Sequence, residues 1–168
     1  MKRFFAACVL TPVVAISLTA CGSSNEKHAG AGEQHTKTHQ NQAMSGDLRE
    51  GTASNQLPSF LNQVDPKVVS IYRLAAKHPD LLQHIPCYCG CGRSVGHKSN
   101  RDCFIKEIRN GTIVWDSHAV TCYNCQQIAL ESIQLKEQGK STPEIRKFID
   151  NKYKQGYAEP TPTPVPVQ

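Results

Sequence analysis

Several things are missing from this chain. Tryptophan occurs once in 168 residues. No apolar run reaches the length of about 20 residues that a membrane-crossing helix needs, which excludes a multi-span membrane protein. There is no glycine repeat, no sustained heptad and no acidic tract, which excludes collagen, a coiled coil and a wholly disordered acidic chain. Lys and Arg number 19 against 14 Asp and Glu, for a formal charge of +5. The two signs are interspersed without a basic stripe, so nucleic acid is not an expected partner. No phosphate-cradling loop, paired carboxylates or Ser-His-Asp order is present, leaving hydrolase and nucleotide chemistry without support. No internal repeat is found.

Cysteine, by contrast, is abundant, with eight residues. Two of them fall at the N-terminus. Lys2 and Arg3 precede an apolar run, Phe4 to Leu18, that reads as the core of a secretory signal. The run ends in Leu18-Thr19-Ala20-Cys21-Gly22, which resembles a bacterial lipobox. That resemblance implies cleavage before Cys21 and lipidation of its sulfur. Residues 1–20 are thus expected to be a lipoprotein signal peptide that takes Cys8 away. The expected location is the extracytoplasmic face of the cell membrane, held by lipid chains at about 0.8 kcal/mol per buried methylene. Losing Lys2 and Arg3 lowers the formal charge from +5 to +3. Outside the cytoplasm disulfides persist, so both disulfide and metal chemistry stay open to the six remaining cysteines.

Residues 21–56, rich in Gly, Ser, Asn, Gln and Thr, read as a flexible tether; its His28, His35 and His39 read as solvated linker residues, with weak metal binding of the kind short His-rich tracts show as the alternative. Pro160, Pro162, Pro164 and Pro166 make residues 157–168 read as a disordered tail of polyproline character. Between them, residues 57–156 are expected to fold. Asp65-Pro66 is a helix start, a capping side chain followed by a proline where no amide partner is needed. Val68, Val69, Ile71, Tyr72, Leu74 and Ala75 then give an apolar face. Pro79-Asp80 opens a short turn with Leu81, Leu82 and Ile85. Asn110-Gly111, between 104–109 and 112–115, signals a β-hairpin with a type I′ turn, with Trp115 in the core under it. A helix is expected over Thr121 to Gln138, ended by Gly139. Ser141-Thr142-Pro143-Glu144 opens the last helix with a capping-box pattern, and Ile145, Phe148, Ile149 and Tyr153 form its apolar face. The expected fold is α+β, mostly helical: a small Cys-rich domain with one β-hairpin and about three helices.

The six cysteines form two clusters. Cys87-Tyr88-Cys89-Gly90-Cys91-Gly92 places three thiols at alternate positions, which share a side in an extended chain. The glycines instead allow the backbone to fold around a centre. Cys122-Tyr123-Asn124-Cys125 puts two thiols on one face of a helix start, where the electropositive end favours thiolates. Loop, hairpin and Cys-x-x-Cys helix follow each other in the order of a treble-clef metal site, although the loop is Cys-x-Cys-x-Cys. The candidate metal ligands are Cys87, Cys89, Cys91, Cys122 and Cys125, with Cys103 and His97 secondary; His118 is a further candidate. These exceed the four that one tetrahedral ion takes. Thiolates so crowded suit zinc or Cu(I). Three structural disulfides, at about 2–4 kcal/mol each, and thiol exchange through Cys122 and Cys125 remain open beside metal binding. Arg93, Lys98 and Arg101 form a basic loop, equally readable as a stabiliser of thiolates or as a solvated surface.

Pro86-Cys87-Tyr88-Cys89-Gly90-Cys91, with Gly96-His97, Asp102-Cys103 and Cys122-x-x-Cys125, resembles the PCYCGC-motif bacterial lipoprotein family. The resemblance covers about residues 85–157 and implies a class rather than an activity, because the family's function is not established. The segment from Cys122 to Tyr153 is also similar to the cytochrome c maturation thiol proteins. They too carry Cys-x-x-Cys, a helix, Gly-x-Ser and Glu-Ile, here Gly139, Ser141, Glu144 and Ile145. The expectation is a membrane-anchored, extracytoplasmic metal-binding protein whose partners are the membrane and a metal ion. The alternatives are a thiol-disulfide exchange protein using Cys122 and Cys125, and a disulfide-stapled surface domain without chemistry.

Overall fold

Strand β1 (Arg49–Ala53) opens the ordered elements of the computed structural model, which describes residues 46–166. The expected signal peptide, the lipidation site Cys21 and the tether histidines lie outside the described residues. Helix α1 (Pro66–Lys77) starts where the sequence places it. The Asp65 carboxylate accepts from the Lys67 backbone N–H at 2.8 Å, and Pro66 occupies the first turn. Its buried face is Ile71, Tyr72 and Ala75. A second proline starts the short α2 (Pro79–Leu82), which buries Leu81 and Leu82. One turn of helix, α3 (Cys91–Ser94), and a 3-10 turn (Asn100–Cys103) follow within the cysteine loop.

Strands β2 (Ile105–Arg109) and β3 (Thr112–Asp116) form the expected hairpin. Asn110 and Gly111 have φ of 48° and 74°, the two positive values that a type I′ turn requires. Trp115 lies buried in β3, and its indole N–H donates to Thr52 Oγ1 at 2.8 Å. The hairpin is not alone. Strand β1 pairs antiparallel with β3, giving a three-stranded sheet of order β1-β3-β2. The expectation of a tether through residue 56 is corrected at this point: Arg-Glu-Gly-Thr-Ala has no apolar alternation of its own, and becomes a strand by completing the edge of β3.

Beyond the sheet come α4 (His118–Thr121), α5 (Tyr123–Glu137) and α6 (Thr142–Tyr153). The expected helix from Thr121 is interrupted at Cys122, whose extended backbone (φ −100°, ψ 94°) makes it the N-cap of α5. Ser141 and Glu144 form the expected capping box. Ile145, Ile149 and Tyr153 bury one face of α6, whereas Phe148 is 44% exposed. Tyr72 joins sheet and helices in the core. Its ring meets Phe104 edge-on at 5.1 Å, and its hydroxyl donates to the Asp116 carbonyl at 2.8 Å.

The proline-rich segment is also corrected. Through residue 166 it runs over the cysteine loop rather than away from it. Ala158 N–H donates to the Tyr88 carbonyl, and Thr161 N–H to the Cys87 carbonyl at 2.9 Å. The Cys87 N–H returns a bond to Thr161 Oγ1 at 2.9 Å, and Thr163 Oγ1 donates to the Lys98 carbonyl at 2.7 Å. Prolines cannot donate, but alternate residues can. In an extended chain Thr161 and Thr163 share a side, and both are buried.

Candidate metal centre

The cysteine loop folds around a centre because Gly90 adopts φ of 91°, a left-handed conformation open to glycine at little cost. This turn ends the extended run and starts α3 with Cys91. Cys87 and Cys91 therefore point inward and are buried, and Cys89 stays partly exposed. Gly92 serves a second purpose. A Cβ there would lie 3.3 Å from Thr161 Cα, so the loop's glycine lets the C-terminal segment approach. Cys103 enters from the 3-10 turn, Cys122 from the N-cap of α5 and Cys125 from its first turn. The Asn100 side-chain amide holds this turn by donating to the Cys125 carbonyl at 3.1 Å.

All six sulfurs converge. Cys87 Sγ lies 3.4 Å from Cys89 Sγ and 3.4 Å from Cys125 Sγ, and Cys125 and Cys89 are 3.5 Å apart. Cys91 and Cys103 are 3.7 Å apart. These distances exceed the roughly 2.05 Å of a disulfide bond, and all six thiols are free. They approach the edge of a tetrahedron of sulfurs about 2.3 Å from a zinc ion, about 3.8 Å. The loop and the helix thus deliver sulfur to one place, as the treble-clef order of parts suggests.

Histidine joins the sulfur. His118 Nε2 lies 3.7 Å from Cys89 Sγ, and its Nδ1 lies 3.1 Å from Asp47 Oδ2. Cys89, His118, Cys122 and Cys125 offer ligand atoms all within 4.8 Å of one another. His97 is buried beside them, its ring centre 5.0 Å from that of His118. Among the described residues, neither of its ring nitrogens has a hydrogen-bond partner. Its Nε2 is 3.8 Å from Asp116 Oδ2, close enough for ion pairing but too long for a hydrogen bond. A buried polar atom left unpaired costs about 1–3 kcal/mol, which makes His97 a side chain in want of a partner.

The electrostatics divide the protons unevenly. Sulfur neighbours, Cys103 first and then Cys125, pull the Cys87 thiol down to about 4. Contacts with Cys103 and Cys122 lower Cys89 as well. Complete burial pushes Cys103 up, and the neighbouring sulfurs, Cys103 foremost, push Cys125 up. His118 is raised to about 11 by Cys122 and Cys89, with Asp47 adding to the effect. Adjacent sulfurs of the cluster are thus pushed in opposite directions. The basic loop plays little part, since Arg101 turns to Asp102 at 3.2 Å rather than to a sulfur.

Every candidate ligand that the sequence offers between Cys87 and Cys125 is thus found in one cluster: Cys87, Cys89, Cys91, Cys103, Cys122, Cys125, His97 and His118. Asp47, Asp116, Asn100 and Thr161 were not legible as parts of the site. Asp47 lies 71 positions from His118, and Thr161 lies 74 from Cys87, and no local spacing signals either pairing.

The family model described as "Protein of unknown function with PCYCGC motif" matches residues 10–166. The chain belongs to this family. The family model spans more than the cysteine loop: β1, the hairpin, α5, α6 and the C-terminal segment all fall inside it. No curated protein and no solved structure matches the chain. The cysteine and histidine groups of this PCYCGC-motif protein have the composition and spacing to hold a metal ion.

Proposed function

We propose that this chain is a membrane-anchored, extracytoplasmic protein that binds a thiophilic metal ion, zinc or copper, through its clustered cysteines. The observation that carries the reading is the triangle of Cys87, Cys89 and Cys125, whose sulfurs from loop and helix stand 3.4–3.5 Å apart. Soft thiolates gathered with an imidazole match the preferences of Zn(II) and Cu(I). Holding like charges so close has a physical motive if a cation sits among them. The test is metal analysis with thiol titration on protein purified anaerobically. Bound metal that protects the thiols is expected, and six titratable thiols without metal would overturn the reading.

The anchoring rests on Lys2, Arg3, the run to Leu18 and the Leu18-Thr19-Ala20-Cys21 sequence. Its test is the mass of the protein extracted from membranes: a chain starting at a diacylglyceryl-modified Cys21 is expected, and a chain retaining residues 1–20 contradicts it.

A second reading, thiol-disulfide exchange, draws on one observation. Cys122 is partly exposed at the N-cap of α5 while Cys125 lies buried behind it, as a nucleophile and a resolving thiol would. Reductase or isomerase activity lost in Cys122→Ser or Cys125→Ser would favour it; activity unchanged in both removes it.

A further inference from the structure

The site contains eight donors, six sulfurs and two imidazoles, twice what one tetrahedral ion takes. They divide by position. Cys89, Cys122, Cys125 and His118 lie mutually within 4.8 Å, and three of the four are partly exposed. The remaining donors are all buried. Cys91 and Cys103 are 3.7 Å apart, and Cys87 lies within 4.8 Å of each. The fourth is His97, within 4.8 Å of Cys91, whose ring nitrogens have no hydrogen-bond partner among the described residues. Each set is three sulfurs and one imidazole.

Each imidazole also has a carboxylate beside it. Asp47 Oδ2 is 3.1 Å from His118 Nδ1, and Asp116 Oδ2 is 3.8 Å from His97 Nε2. Asp116 is itself fixed by Arg49 at 3.0 Å and by the His118 backbone N–H at 3.0 Å. A carboxylate hydrogen-bonded to a ligating histidine fixes the ring and its tautomer, as Asp47 does for His118. A single tetrahedral ion would leave four of the eight donors without use, whichever set it filled.

We propose that the protein holds two thiophilic cations side by side, a partly exposed one in the Cys89, Cys122, Cys125 and His118 set and a buried one in the Cys87, Cys91, Cys103 and His97 set. The sets adjoin: the Cys87 sulfur is 3.4 Å from those of Cys89 and Cys125, Cys91 lies within 4.8 Å of His118, and Cys103 lies within 4.8 Å of Cys125. Charge favours divalent ions. Two of them balance four of six thiolate charges, whereas two monovalent ions balance two, and unbalanced charge is costly where four of the six sulfurs are buried. The inference rests on the metal-binding reading above and assigns its stoichiometry and ion class.

The test is an anaerobic titration of the reduced, metal-free protein with zinc alone, followed by native mass spectrometry and chelator competition. Two zinc ions per chain are expected at saturation. His97→Ala should weaken one binding step by tenfold or more and leave the other in place. The double variant Cys122→Ser with His118→Ala should retain one ion. One zinc at saturation in the unsubstituted protein overturns the two-ion arrangement while leaving metal binding intact, and none overturns both. Three or more overturns the division into two four-donor sets, as does a His97→Ala protein whose two steps are unchanged or equally weakened. Should the variants fail to fold, the count for the unsubstituted protein still decides.

Discussion

Asp47 and His118 meet at 3.1 Å, carboxylate oxygen to Nδ1, while the other ring nitrogen of His118 faces the sulfur of Cys89 at 3.7 Å. A carboxylate in this position orients the imidazole and raises its basicity as a ligand. Asp47→Asn is therefore expected to weaken metal binding by about 10–100-fold, measured by chelator competition. Unchanged affinity would remove Asp47 from the site.

The C-terminal segment holds the cysteine loop through Thr161, which accepts from the Cys87 N–H and donates its own N–H to the Cys87 carbonyl. Thr161→Val keeps the shape and removes the acceptor, leaving a buried N–H unpaired. The expected loss is about 1–3 kcal/mol, read from urea unfolding. A midpoint equal to that of the unsubstituted protein would contradict the strapping role of this segment.

Two glycines of the loop are predicted to fail for different reasons. At Gly90 a Cβ would make only an ordinary 3.7 Å contact with Ala158, so Gly90→Ala acts through its left-handed backbone, at about 1–2 kcal/mol. At Gly92 the new Cβ would press on the Thr161 backbone at 3.3 Å. Removing residues 158–168 should therefore relieve Gly92→Ala but not Gly90→Ala, as measured by thermal unfolding of the four proteins. Equal relief of both would contradict the assignment.

The Ser141 hydroxyl and backbone N–H hold the Glu144 carboxyl below the usual carboxylate range. A group lowered on folding stabilises above its unfolded pKa, and that contribution is lost as pH falls through the lower folded value. Glu144→Gln should therefore unfold with a weaker acid dependence than the unsubstituted protein. The comparison is of urea midpoints at neutral and acid pH, and parallel pH profiles would count against it.

What was legible in the sequence was local. Asp65-Pro66, Asn110-Gly111 and the Ser141–Glu144 pair each carry their signal within a few residues, and each forms the expected structure. The cysteine clusters were legible because sulfur chemistry needs few other clues. What stayed hidden depends on distant partners. Arg49–Ala53 becomes a strand only against Thr112–Asp116. The proline-rich stretch is ordered by Cys87, Lys98 and Arg146 rather than by itself. Phe148 has the spacing of a core residue, yet the buried face of α6 is narrow and passes through Ile145, Ile149 and Tyr153, leaving it outside.

The central claim is that the clustered sulfur is there to bind metal. X-ray absorption at the zinc edge of the anaerobically zinc-loaded protein tests it most directly. The account predicts a first shell dominated by sulfur at about 2.3 Å, with imidazole nitrogen at about 2.0–2.1 Å. A shell of oxygen and nitrogen without sulfur would contradict it.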